Sequence, residues 1–465
     1  MGKLRNWLFP PIRVNGEVRR DMRSMLPGML IEQIAATLLD NINIVVMGFI
    51  GNEATAGVSQ VSTINNTMMI VVQFFAMGGT ALVAQAAGAG NTREGKRVAG
   101  DAIVLGTMLS LVAALALFFL RVPLINLMFG AADDTVVANS ITYYQFTSLA
   151  PPLWFIYFQC CGFMRSCGDT KRPMMVSVAT NVLSILLNLL LTFALDLGIK
   201  GSAMSYLFSV LGGAVIALAL VVRRGFVMRP AFKLDKSTAP RMRSIASIGV
   251  PSSMENFMFN GTKLVVQVFV AGMGTTVISA NQVFNSASNV MLIPFMSVNY
   301  LTTPVVGRCA GREGVDGLTP CLQYLYDRAR TVAIFTGIAH IVLAVPMAYV
   351  FSRDGEAVRL AVRMLMIYAL FSPFMPGCFI LPNGFKAVSD AKYPMYYSTL
   401  SAWFVRVCGT WLLGVFLGWG TVAIVLTQGI DHISRCAAYT HRFKSGKWLN
   451  NFKRLHSGEE DRWTE

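Results

Sequence analysis

Glu32 and Asp40 stand inside the first long apolar stretch of this 465-residue chain, and Glu255 inside the seventh. An ionised carboxyl is costly to keep in lipid, so each such residue is expected to be paired, or to load and release a proton or a metal cation. At about 100° per residue, Glu32, Asp40 and Asn43 fall within roughly 80° of one another on one helix face. Asp40, with Asn43 beside it, has the chemistry of a reversible H⁺ site, or of an Na⁺ site if further oxygens converge. Glu32 lies nearer the helix end, where water can reach it. On the fifth stretch Ser177, Asn181, Ser184 and Asn188 form a stripe within about 60° that offers donors and acceptors without charge. The expected ion-coupling set is therefore Asp40, Asn43, Asn181, Ser184 and Asn188. A single carboxylate among neutral groups favours H⁺ over Na⁺.

The second half carries a different charge pattern. Asn256, Asn260, Lys263 and Gln267 share one face of the seventh stretch, and Asn281, Gln282, Asn285 and Asn289 share a face of the eighth. Lys263 and Arg406 lie well inside their stretches, with Glu255 as the acid beside them. Eight residues of helix rise about 12 Å, so Glu255 is expected to pair with Arg406 rather than Lys263. These residues form a secondary polar and charged lining. Tyr143, Tyr144, Trp154, Phe155 and Tyr157 are read either as cavity walls or as interfacial anchors. The 8 cysteines and 4 histidines fall in no metal-ligand spacing, and no phosphate-binding G-x-x-x-x-G-K-[ST] loop occurs. Neither an enzyme, a bound cofactor nor a metal site is expected.

These residues must be carried by membrane helices. The chain is 54% hydrophobic and 14% charged, against about 25% charged in soluble domains. Twelve apolar stretches, each near the length of a bilayer-spanning helix, fall near 25–47, 54–79, 98–120, 135–161, 174–195, 201–222, 246–271, 277–300, 327–350, 358–383, 395–417 and 419–438. The first 24 residues are basic, and the first stretch is long enough to remain in the membrane. Of the 39 Lys and Arg, 32 fall in the segments on the side of both termini. By the positive-inside rule both termini are cytoplasmic. The net charge of +15 is this topological signal and not the mark of a nucleic-acid partner. The expected organisation is a cytoplasmic arm (1–24), a six-helix bundle (25–222), a basic linker (223–245), a second bundle (246–438) and a basic tail (439–465).

The second half of the chain also restates the first at a nearly constant offset. The stretch from Pro27 to Gly48 resembles that from Pro251 to Gly272, with proline and glycine equally far apart in each. "SQV" at 59–61 matches "NQV" at 281–283, and "CGFMRSCGDTKRPMM" matches "NGFKAVSDAKYPMY" with one gap. Six spans per repeat preserve orientation, which makes the halves parallel repeats related by an axis along the membrane normal. Lys263 lies close to the repeat position of Asp40.

Three segments carry a resemblance to a known family: "GFIGNEATAGVSQV", "AQAAGAGNTREGKR" and "GFMRSCGDTKRPM…N…N…LGIKGSAMS". Over nearly its whole length the chain resembles the multidrug and toxic compound extrusion (MATE) transporters, and within them the prokaryotic DinF-like branch. The resemblance implies twelve helices in two six-helix bundles and export of drug-like or toxic compounds in exchange for H⁺ or Na⁺ by alternating access. It also implies a monomer in a prokaryotic cytoplasmic membrane. Many members place Asp where this chain has Asn43, so Asp40 is an equivalent by geometry. The acid that the NorM-like branch carries in span 10 is absent from "YALFSPFMPGCF". Two other functions remain open: a flippase for a lipid-linked or anionic amphipathic substrate, which the bases of the second half would suit, and a non-transporting receptor or scaffold.

Overall fold

The computed structural model describes residues 14–48, 52–129, 134–223 and 237–456, apart from the side chains of 38–48, 52–56, 59, 60, 129, 455 and 456. Among the described residues every regular element is helical. In chain order the elements are α1 (Gly16–Gly48), α2 (Asn52–Gly88), α3 (Thr92–Phe119), α4 (Arg121–Phe129), α5 (Asp134–Thr147), α6 (Pro151–Ser166), α7 (Lys171–Asn188) and α8 (Gly198–Arg223). Then come α9 (Thr238–Gly272), α10 (Thr275–Met291), α11 (Ile293–Val342), α12 (Ala344–Phe351), α13 (Gly355–Phe371), α14 (Met375–Ala387), α15 (Lys392–Ser401), α16 (Thr421–Lys444) and α17 (Asn450–His456).

All twelve expected spans fall on helical backbone, so this is an all-α membrane protein with twelve spans in two bundles. Several spans are broken. The span near 135–161 is α5 followed by α6, parted before Pro151 and Pro152. These two prolines open α6, where the missing amide hydrogens cost nothing. The span near 277–300 bends by 61° between α10 and α11. The loop expected near 310–330 is largely helix, interrupted at Gly314, whose φ of 61° suits glycine. Among the described residues, six helices are apolar and long enough to cross a bilayer by composition alone, or seven with that bent pair. Spans such as α1, α9 and α16 are not among these six, and all three carry charged residues in their interiors.

The chain divides into two compact units. One is Pro27–Ser253; the other is Met254–Glu465 together with Met1–Leu26. In the first unit α2 packs on α5 and α6, and α8 on α6 and α7. Lipid gives helices no hydrophobic reason to associate, so close approach depends on small residues. A Cβ on Gly106 of α3 would lie 1.8 Å from Phe155 Cζ, and one on Gly213 of α8 would lie 2.3 Å from Thr180 Oγ1. In the second unit α11 packs on α14, α10 on α13, and α16 on both α13 and α14. The opening turns of α1 are tied into this unit by ion pairs. Arg312 reaches Glu17 at 2.8 Å and Asp21 at 3.0 Å, and Arg308 reaches Asp21 at 3.0 Å.

The repeat is visible in local backbone geometry. A π-helical turn closes α7 at Leu189–Ala194, and another occurs at the corresponding place in the second half, Trp411–Phe416. Both are followed by positive-φ residues at matching positions: Asp196 (50°) and Gly198 (52°), then Gly418 (70°) and Gly420 (56°). An additional π segment, Ala402–Cys408, follows α15. The corresponding residues 180–186 of the first half are α-helical.

Candidate functional site

The candidate site residues of the first unit stand on α1, α6 and α7. The backbone of Asp40 and Asn43 lies in α1, and their side chains lie outside the described residues. Glu32, on the same helix, is 6% exposed and forms an ion pair of 2.5 Å with Arg165 at the end of α6. No base stands inside the first six apolar stretches, so Glu32 reads in the sequence as uncompensated; the fold corrects this, because α6 carries Arg165, from beyond the stretch 135–161, against α1.

The four residues of the neutral stripe all lie on α7. Ser177 and Asn188 are buried, and Asn181 and Ser184 are half-buried. Asn181 Nδ2 donates to the Ser177 carbonyl at 3.0 Å, and Thr192 Oγ1 donates to Asn188 Oδ1 at 2.8 Å. Thr192 lies in the π segment one turn beyond Asn188, so the side-chain carbonyl oxygen of Asn188 already has a neutral donor. Of the five aromatics, Tyr143, Tyr144, Phe155 and Tyr157 are buried in the bundle core, while Trp154 is half-buried and donates to Tyr206 Oη at 2.9 Å.

The second unit has a denser charged interior than its sequence suggested. Glu255, 8% exposed, pairs with Lys386 of α14 at 2.8 Å, where Arg406 had been expected. Lys386 is 2% exposed and belongs to the segment "NGFKAVSD", where it had been read as a loop charge. A second pair, Asp431 with Arg435, sits one turn apart on α16; Ser401 Oγ also donates to Asp431 at 2.7 Å. Both Asp431 and Arg435 lie inside the stretch 419–438 and are legible there as charges within a span. Asp101, inside the stretch 98–120, is another such acid and pairs with Arg241 at 2.6 Å.

Around the Phe259 ring of α9 three cations gather. Lys263 Nζ is 5.1 Å from the ring centroid, and the guanidinium carbons of Arg406 and Arg435 are at 5.5 and 5.0 Å. Arg406 Nη2 donates to Gln428 Oε1 at 3.3 Å. Asn260 Nδ2 donates to the Asn256 carbonyl at 2.8 Å, and Asn281 Nδ2 to Gln267 Oε1 at 3.2 Å. Gln282, Asn285 and Asn289 are exposed on this unit. Among the described residues no group of three His, Cys, Asp or Glu is placed to hold a metal.

The family model MatE matches the chain twice, over residues 29–190 and 251–412. Both ends of the second match are displaced from those of the first by one and the same interval, the one that separates "SQV" from "NQV" in the sequence. An uncharacterised transporter from Bacillus subtilis (strain 168), YisQ, is 23% identical over 426 residues, covering 90% of this chain and 93% of the relative. A probable multidrug resistance protein from Thermotoga maritima, NorM, is 21% identical and covers 93% of each chain. Among solved structures, a MOP superfamily transporter from Pyrococcus furiosus, described as having a binding pocket of reverse polarity, superposes with a TM-score of 0.81 at 18% identity. That alignment covers 95% of this chain and 98% of the other. Two consecutive family matches, in register with the repeat and covering both halves, make this chain a member of the MatE family of multidrug and toxic compound extrusion transporters.

Proposed function

We propose that the protein is a secondary active antiporter that exports small organic, drug-like or toxic compounds in exchange for H⁺ by alternating access. The double family match carries this reading. The multidrug resistance role of the Thermotoga maritima relative supports the substrate class. Both termini lie in the cytoplasm of a prokaryotic cell, and the protein works as a monomer without a bound cofactor.

Asp40 is the coupling carboxylate in this reading, with Asn43, Asn181, Ser184 and Asn188 as its polar surroundings. Support comes from the acids the structure does describe. Glu32 has Arg165, Asp101 has Arg241, Glu255 has Lys386, and Asp431 has Arg435. A carboxyl held by a guanidinium or ammonium keeps its charge and is a poor proton carrier. The side chain of Asp40 lies outside the described residues, and its assignment as the acid that loads and unloads rests on the sequence. Protonation removes the cost of a buried charge and thereby favours one access state over the other.

The test is transport in proteoliposomes with and without an imposed pH or Na⁺ gradient. Asp40→Asn protein should insert and fold yet lose gradient-driven export, and Asp40→Glu should keep part of it. Export by Asp40→Asn at the wild-type rate would end the assignment. A second reading, a flippase for an anionic amphipathic substrate, is favoured by the cations around Phe259; export unaffected by either gradient would support it.

A further inference from the structure

Charge does not balance inside the unit Met254–Glu465. Its buried acids are already engaged: Glu255 by Lys386, Asp327 by Arg330, Asp390 by Arg442, and Asp431 by Arg435 and Ser401. Two more cations stand beside them. Arg406 is 9% exposed, and among the described residues its hydrogen-bond partner is the neutral Gln428 amide at 3.3 Å, with no carboxylate in ion-pair range. Lys263 is exposed, lies deep within its span, and finds neither a hydrogen-bond nor an ionic partner among the described residues. An ammonium at that depth is costly to turn to lipid, which favours a position open to water or a solute.

Both cations lie against the same aromatic ring. The Phe259 ring lies 5.1 Å from Lys263 Nζ and 5.5 Å from the Arg406 guanidinium carbon, which puts the two charges within about 11 Å of each other. A ring quadrupole attracts each cation but cancels neither charge. Arg435, held on Asp431, sits against the same ring at 5.0 Å and adds to the positive field. The backbone at Arg406 is also distinctive, since the π segment Ala402–Cys408 has an α-helical counterpart in the first half. Such bulges recur where a side chain must be re-aimed for function.

The repeat sharpens the contrast. In the register of the two family matches, Arg406 corresponds to Ser184 and Lys263 to Asn41, the neighbour of Asp40. Positions that carry a neutral hydroxyl and a neutral amide in the first half carry two bases in the second. The geometry points to a binding site for an organic anion in the second unit, where Lys263 and Arg406 together hold its carboxylate or phosphate. Arg406 offers a planar fork for two acceptor oxygens, and Lys263 adds a mobile ammonium on the open side. As a substrate site this rests on the transport reading; as a binding site it does not. The same chemistry is offered by a free aromatic anion and by the phosphate of an anionic lipid.

Calorimetric titration of the full-length protein in detergent, with no gradient, tests the site. The probes are phenyl phosphate, benzoate, benzyl alcohol and benzylamine. Phenyl phosphate and benzoate should bind, and the neutral and cationic compounds should not. Lys263→Gln should weaken phenyl phosphate about tenfold or more, and Lys263→Glu should abolish its binding. Lys263 is exposed, so both variants test the site without loss of a packed side chain. Benzylamine binding as tightly as phenyl phosphate, or unchanged phenyl phosphate affinity in Lys263→Gln, overturns the proposal. Nanodiscs separate the two sources. Phenyl phosphate binding lost in phosphatidylglycerol but kept in phosphatidylcholine supports the site with lipid as its occupant; equal binding in both supports it with a soluble anion. Failure of gradient-driven export would refute the antiport reading and leave these titrations intact.

Discussion

Removing the acid of the Glu255–Lys386 pair tests whether this pair is structural. The two groups are 2.8 Å apart, and both are almost fully buried, with side-chain exposures of 10% and 2%. Glu255→Gln leaves the Lys386 ammonium in a low-dielectric interior without its carboxylate. Breaking a buried pair from one side costs about 3–5 kcal/mol, whereas replacing both partners by neutral groups of similar size is often close to neutral. The double variant Glu255→Gln, Lys386→Met should therefore recover most of the loss. For a unit of this size about 3 kcal/mol corresponds to a fall in Tm of roughly 6 °C or more. Thermal unfolding of the detergent-solubilised protein, followed by the fraction that still elutes as a monodisperse peak, measures this. Each variant is compared at one heating rate because membrane-protein unfolding is commonly irreversible. Gradient-driven export by the double variant is the second readout, and it should persist. If the single variant were as stable as wild type, or the double variant as unstable as the single, the pair would not be holding the fold. If the double variant were stable but inactive, Glu255 would replace Asp40 as the coupling candidate.

Gly106→Ala should destabilise the first unit by about 1–3 kcal/mol, because its Cβ would sit 1.8 Å from the ring of the buried Phe155; Phe155→Leu in the same chain should restore part of the loss in a thermal unfolding series. Arg442→Met should cost more stability at pH 7.5 than at pH 5. Burial holds the Asp390 carboxyl above its usual range even with Arg442 donating at 2.7 and 2.9 Å. The native state thus takes up a proton more readily than the unfolded chain, and the cost of the ionised form grows as pH rises. Unfolding measured at both pH values checks the sign. A cysteine introduced at position 133 of a cysteine-free protein should react with an impermeant reagent added to intact cells, and one at position 94 should not; the reverse pattern would invert the proposed orientation.

The linear sequence determined the class of this protein because the relevant physics is local. A run of about twenty apolar residues is stable as a helix in lipid whatever its neighbours do, and the internal repeat needs no contacts to be seen. The polar stripe on α7 was legible for the same reason: Ser177, Asn181, Ser184 and Asn188 share a face by helical period alone. Partners were not legible, because pairing depends on how separate helices are set side by side. Glu32 and Arg165 are 133 residues apart, and Asp101 and Arg241 are 140 apart. Lys386 lies in the last turn of α14, where a cation reads as a topological charge. Only the fold, which sets Glu255 of α9 within reach of Lys386, turned that charge into a buried counter-ion, whereas Arg435 already faces Asp431 one turn away on α16. The two bases left without carboxylates, Lys263 and Arg406, likewise became apparent only in the tertiary structure. Charge balance in a membrane interior is settled between side chains a few ångströms apart, and those separations belong to the fold.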